Sequence, residues 1–215
     1  MTPHKEDYLK ELYKLGGNEH LVANKEIAKN LSVAPSSVTE MLGKLQKEGY
    51  IIYEPYKGSI LTPKGLESSI TLLRGHRLWE VFLIRHLGYS WSEAHEDAEL
   101  LEHITPHRLT KRLDKFLNYP NYCPHGSAIP REDGTIINLD LYPLTDISID
   151  QTVIIRKVSE EFELLDYLQE KGIHMGAPIV IREKEAYEGP LTLLYEGSTI
   201  QLSHKAASKI FVEIM

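Results

Sequence analysis

Apolar residues in the first third of the chain recur at helical spacing and then switch to a strand pattern. Thr2-Pro3 reads as a helix start, a cap followed by proline at the first helical position. Tyr8, Leu9, Leu12, Tyr13 and Leu15 then share one apolar face until Gly16-Gly17 stops the helix. Asn24 is expected to cap a short helix with Ile27, Ala28 and Leu31 inward. After a turn at Ser32-Val33-Ala34, Ser37-Val38-Thr39-Glu40 has the form of a capping box. Val38, Met41, Leu42 and Leu45 follow at i, i+3, i+4, i+7, the stripe of a helix packed on one side, and Gly49 ends it. Tyr50-Ile51-Ile52-Tyr53 and Ser59-Ile60-Leu61 are β-rich and flank the turn Pro55-Tyr56-Lys57-Gly58. Two short helices joined by a tight turn, then a hairpin, form the pattern of a winged helix-turn-helix.

The middle of the chain is helical. Leu66, Ile70, Leu73, Phe82 and Leu83 line one side of a long segment from Lys64 to His86. Ser92 is expected to cap a second helix with Ala94, Ala98, Leu101 and Ile104 periodic. Thr105-Pro106 starts a third with Leu109, Leu113, Phe116 and Leu117 inward, stopped at Tyr119-Pro120. Beyond Pro143 and the polar residues 145–150, read as a linker, the period changes. Residues 151–158, 178–181, 191–195 and 199–202 read as strands around one helix from Glu161 to Lys171, which suggests a small β-barrel. The expected fold is thus mainly α with a small β domain. Residues 1–64 form a winged helix-turn-helix, residues 65–142 a helical unit able to dimerise, and residues 143–215 a barrel.

Charge sharpens this division. The 215 residues carry a formal net charge of −7, so the whole chain would be repelled by phosphate. Residues 1–64 hold nine Lys/Arg against eight Asp/Glu, a net of +1, while the acids concentrate in the other two parts. The second short helix would enter a major groove with Ser36, Ser37, Thr39 and Glu40, and Lys44, Lys47 and the wing-tip Lys57 would touch the DNA backbone. One cysteine excludes an internal disulfide and a multi-cysteine zinc site. The N-terminus has no apolar signal-peptide core, and no run approaches the length of a membrane helix, so the expectation is a cytoplasmic protein without a membrane.

Six of the ten histidines fall between positions 76 and 125. Glu99, Glu102 and His103 lie at i, i+3, i+4, which puts all three on one helical face, with His95 one turn earlier. His76 and Glu80 are also i, i+4, and Cys123 and His125 sit two apart in a proline-containing loop. Imidazole nitrogen with carboxylate oxygen suits a divalent ion such as manganese or ferrous iron. An enzyme is not expected. His95-Glu96-Asp97-Ala98-Glu99 lacks the second histidine of the metalloprotease motif, and there is neither a nucleotide-binding glycine loop nor a Gly-x-Ser-x-Gly elbow.

With these residues in view, the whole chain resembles the diphtheria-toxin-repressor and manganese-transport-regulator family, in particular its three-domain streptococcal manganese and iron regulators. The resemblance rests on Glu6-Asp7-Tyr8-Leu9, on residues 34–41, on Gly75-His76-Arg77-Leu78 with Glu80, on Glu99-x-x-Glu102-His103, and on a C-terminal part similar to an SH3-like barrel. It implies a homodimer that binds a palindromic double-stranded DNA operator when loaded with Mn2+ or Fe2+, zinc also being able to enter in vitro. It implies control of metal-uptake genes. The primary metal site implied is Asp7, Glu99, Glu102 and His103, the secondary site Glu80, Cys123, His125 and Glu160, with His76 and His95 in an ancillary site that would compete for Glu80. Without metal, mutual repulsion of Asp7, Glu99 and Glu102 is expected to leave the first helix loosely held. The alternative from another class is a winged-helix regulator answering to a small organic ligand, with the acid–histidine cluster structural.

Overall fold

The computed structural model describes residues 1–137 and 139–215. Among these, three apolar cores lie along the chain.

The first core is built by α1 (Pro3–Lys14), α2 (Asn24–Asn30), α3 (Pro35–Lys47) and the antiparallel hairpin of β1 (Ile51–Glu54) and β2 (Gly58–Leu61). Leu9 and Leu12 of α1, Ile27 of α2, and Val38, Leu42 and Leu45 of α3 meet in its centre. Two expected caps are displaced. Asn24 is the first helical residue rather than the cap, which is Ala23. The third helix begins at Pro35 instead of after Ser37, because proline is favoured at a first helical position and needs no donor there. This early start leaves Ser36, Ser37, Thr39 and Glu40 exposed on its first two turns.

The wing leads directly into α4 (Pro63–Leu87). Thr62 caps it by accepting from the Gly65 amide at 3.2 Å, and the same hydroxyl donates to the carbonyls of Gly49 and Tyr50 at 2.8 and 3.0 Å. Gly65 packs so close that a Cβ there would lie 2.0 Å from the Tyr50 carbonyl oxygen. The start of α4 is therefore fused to the end of α3 and to the wing. Farther along, Ser69 donates to the Leu9 carbonyl of α1 at 2.9 Å. α5 (Trp91–Ile104) packs along α4. Its capping box uses Ser90 and Glu93; Ser92, the expected cap, is buried inside the first turn. α6 (His107–Phe116) closes a second core of Leu78, Val81, Leu113, Leu117, Cys123 and Ile129.

The C-terminal unit is a six-stranded antiparallel sheet with α7 (Phe162–Glu170) and the short α8 (His204–Ala207), in the SH3-like arrangement. Its strands are β3 (Tyr142–Pro143), β4 (Thr152–Val158), β5 (Pro178–Lys184), β6 (Leu191–Tyr195), β7 (Ser198–Leu202) and β8 (Ile210–Ile214), in the order β3-β8-β4-β5-β6-β7. The segment read as a linker belongs to this unit. Tyr142 pairs with Val212, and Leu144 and Ile147 are buried in the third core beneath polar neighbours that face outward. A count of polar residues hid two anchors. β8, which sits between β3 and β4, was also not anticipated.

Leu144 is fully buried, so Leu144→Ala should destabilise the C-terminal unit by about 2–5 kcal/mol. Urea unfolding followed by circular dichroism would measure this; a shift within error of wild type would return residues 143–150 to the status of a linker.

Candidate metal centre

Helix α1 brings a carboxylate to α5. Asp7, Glu102 and His103 each offer a ligand atom, all within 4.8 Å of one another. His103 Nε2 lies 3.1 Å from Asp7 Oδ1 and 3.6 Å from Glu102 Oε1. The other ring nitrogen, Nδ1, contacts Glu6 Oε2 at 2.6 Å. Glu6 thus turns the imidazole so that Nε2 faces the group, the carboxylate–histidine arrangement that orients metal ligands. A cleft lined in part by Glu6, Gly75, Glu102 and His103 opens onto it. Burial pushes the Asp7 carboxyl up despite the nearby His103 and Lys10.

Glu99, expected with these three, is turned elsewhere. It groups with His76 and Glu102, again within 4.8 Å, and it accepts from the ammonium of Lys10 at 2.7 Å. Lys10 also donates to Glu102 Oε1 at 2.5 Å. Burial works to raise Glu99, but the Lys10 and His76 charges outweigh it and hold the carboxyl below its usual range. Burial likewise works against the Lys10 charge, and Glu102 and Glu99 overcome it and raise the ammonium. The expected repulsion among Asp7, Glu99 and Glu102 is therefore already partly cancelled by a lysine of α1.

A second group lies where α4, the loop after α6 and the end of β4 meet. Glu80, Cys123, His125 and Glu160 offer ligand atoms within 4.8 Å of one another. Backbone bonds fix the loop: Cys123 N–H donates to Ser127 O, Gly126 N–H to Cys123 O and Val158 N–H to His125 O, each at 2.9 Å. Arg74 and Arg77 of α4 hold its far side by donating to the carbonyls of Pro130 and Ala128. Gly126 has φ +83°, and a Cβ there would lie 1.8 Å from the Arg156 carbonyl oxygen, so only glycine lets the loop lie on β4.

The ancillary residues converge on the same carboxylate. Glu80 Oε1 lies 3.0 Å from His76 Nε2, 2.9 Å from His95 Nδ1 and 3.1 Å from His125 Nδ1. Burial would raise Glu80, but His76 and His125 drive it well below the usual range. His76 joins the two groups, since its other nitrogen, Nδ1, lies 2.7 Å from Glu102 Oε2. Burial opposes its charge, yet Glu80 and Glu102 lift it to about 9. Burial, with Glu80 and Glu160 beside it, pushes the Cys123 thiol well up. Burial would also raise Glu160, but Lys14, Arg77 and His76 bring it down to about 2.

The donors fit divalent cations. Glu80 Oε2, His125 Nε2 and Glu160 Oε1 of the second group are buried without a hydrogen-bond partner among the described residues. Such atoms are rare unless an ion or water completes them. Oxygen and imidazole donors in the first group suit manganese or ferrous iron, and the added thiol makes the second more accepting of zinc.

Comparisons with known proteins fall on the same three parts. Residues 1–59 match the iron dependent repressor N-terminal DNA binding domain, and residues 62–131 match the iron dependent repressor metal binding and dimerisation domain. Residues 142–214 match the FeoA domain. The chain belongs to the iron dependent repressor family. Members of this family are metal-dependent transcriptional repressors. The transcriptional regulator MntR of Lysinibacillus sphaericus is 43% identical over 102 residues, 47% of this chain and 73% of that protein. A crystal structure of ScaR with bound Zn2+ is 40% identical and has a TM-score of 0.83, covering 98% of this chain and 99% of that one. A manganese-dependent transcriptional repressor in complex with manganese superimposes with a TM-score of 0.88 at 29% identity, covering 98% of this chain and 100% of that one.

Sequence reasoning missed Glu6 and Lys14 as participants. Gly126→Ala should weaken metal binding at the Glu80–Cys123–His125–Glu160 group by roughly 10–100-fold, as loss of an outer support does. Isothermal titration with zinc should show this while titration of the Asp7 group stays as in wild type. Unchanged zinc affinity in both would mean that the loop does not depend on its seat on β4.

Proposed function

We infer that the chain is a manganese- or iron-activated repressor of metal-uptake genes that binds a palindromic operator as a homodimer. The observation that carries this reading is the meeting of Asp7, from the first helix of the DNA-reading unit, with Glu102 and His103 from the helical unit. On this reading residues 1–64 read DNA, residues 65–142 dimerise and bind metal, and the rest form the barrel, with Tyr142 belonging to its sheet. The protein acts in the cytoplasm, where its operator is. No helix among the described residues is long and apolar enough to cross a membrane.

Asp7, Glu102 and His103 would hold a divalent cation, which would add positive charge where the two carboxylates meet. Asp7 would offer a carboxylate oxygen from α1, Glu102 a carboxylate oxygen and His103 its Nε2 from α5, and Glu6 fixes the His103 ring. With α1 held to α5, the angle of the whole winged unit is set, since Leu9 and Leu12 of α1 lie in its core. α3 then presents Ser36, Ser37, Thr39 and Glu40 to a major groove, with Lys44, Lys47 and Lys57 exposed for phosphates. Glu40 is paired with Lys44 at 2.7 Å and Lys57 with Glu54 at 2.9 Å, so both lysines would exchange a side-chain partner for a phosphate. Leu100 and Ile104 of α5 and Leu109 and Phe116 of α6 are exposed apolar residues, a surface suited to a second copy. Metal and DNA must each raise the affinity for the other by the same factor.

Asp7→Ala should abolish manganese-stimulated operator binding, read by fluorescence anisotropy, while sedimentation shows the dimer intact. If wild type binds its operator equally well in chelator, the reading as a metal-activated repressor fails and the organic-ligand reading takes its place.

A further inference from the structure

Helix α1 carries more than Asp7 toward the metal groups. Lys10, one turn later, places its ammonium between Glu99 and Glu102 with 6% of its side chain exposed. A lysine this buried is no solvated surface pair, and its two partners lie on another unit of the chain. Lys14, a further turn on, reaches Glu160 Oε2 at 3.3 Å. The spacing Asp7, Lys10, Lys14 is i, i+3, i+7, so one face of one helix delivers a ligand and two cations. Each cation sits on a carboxylate that also belongs to a candidate metal group: Glu102 to the first and Glu160 to the second.

We propose that Lys10 is a tethered cation that holds Glu99 and Glu102 in the metal-free protein and competes with the divalent ion for Glu102, so that its charge sets the metal concentration at which the repressor responds. Glu102 Oε1 is the contested atom. It receives Lys10 at 2.5 Å and lies 3.6 Å from His103 Nε2, the nitrogen that faces Asp7. Loading therefore requires Glu102 to divide its charge or Lys10 to withdraw toward Glu99. A positive charge fixed this near also repels the incoming ion, and burial leaves little water to screen it. Lys10 has a second effect. It ties α1 to α5 without metal, so the metal-free winged unit is docked rather than free, and the ion adjusts a pose already close to its final one. The smaller ordering cost on loading offsets only part of the affinity surrendered through competition.

This rests on the reading of Asp7, Glu102 and His103 as ligands, and the experiment separates the two. Manganese affinity would be measured by competition with a fluorescent chelator for wild type, Lys10→Met, Lys10→Arg, Lys14→Met and Asp7→Ala, with hydrogen exchange of α1 recorded in the metal-free state. Methionine keeps the apolar stem and removes the charge. The expected result is manganese binding tightened by about tenfold or more in Lys10→Met, near wild type in Lys10→Arg and unchanged at the Asp7 site in Lys14→Met. α1 amides of metal-free Lys10→Met should exchange faster. A merely structural lysine would give weaker binding when replaced, so equal or weaker affinity in a folded Lys10→Met overturns the proposal. Wild-type affinity in Asp7→Ala overturns the ligand reading and the proposal with it.

Discussion

Buried carboxylates need positive charge beside them, and this chain buries Glu80 and Glu102, and most of Glu160, along the seam between its three cores. Everything near that seam is arranged to meet the requirement. His76, His95 and His125 surround one oxygen of Glu80, Lys10 lies on Glu99 and Glu102, and Lys14 lies on Glu160. The neutralising groups come from α1, α4, α5 and the loop after α6, and the C-terminal unit contributes the carboxylate of Glu160. The seam therefore joins all three units, and a change of charge in it is felt by each.

His76 makes the two metal groups one electrostatic system. One ring nitrogen faces Glu102 and the other faces Glu80, and with its affinity for a proton lifted to about 9 it carries positive charge at neutral pH. An ion bound in either group would lie close to that shared imidazole and would change the field in the other. Linkage makes any such influence mutual.

Much of this could be read from local spacing. The Glu99–Glu102–His103 stripe, the His76–Glu80 pair and the Cys123–His125 pair are sequence-local, and helical or extended geometry alone brings their members together. Asp7 and Glu160 entered through the family resemblance. Lys14 and Glu6 were not legible, because their partners are 146 and 97 residues away and a lysine on a helix facing solvent looks the same as one facing a buried carboxylate. A faint signal existed in Lys10, which sits between the buried Leu9 and Leu12 turns of α1. The misplaced linker has a similar origin. Leu144 and Ile147 are two isolated apolar residues among polar ones, and only the pairing of β3 with the unanticipated β8 reveals that they face a core.

The joint between the wing and α4 has a mechanical consequence. Thr62 and Gly65 leave no slack there, with the Gly65 backbone pressed against the Tyr50 carbonyl and Thr62 bonded to both Gly49 and Tyr50. The DNA-reading unit is thus welded to the first turn of a helix of roughly 37 Å, and cannot swivel at its own covalent connection. Its remaining fastenings run through α1, from the Leu9 carbonyl to Ser69, from Lys10 to Glu99 and Glu102, and from Lys14 to Glu160. A unit held at its covalent joint and again along α1 is braced like a bracket, and the aim of the recognition helix is set by both fastenings together.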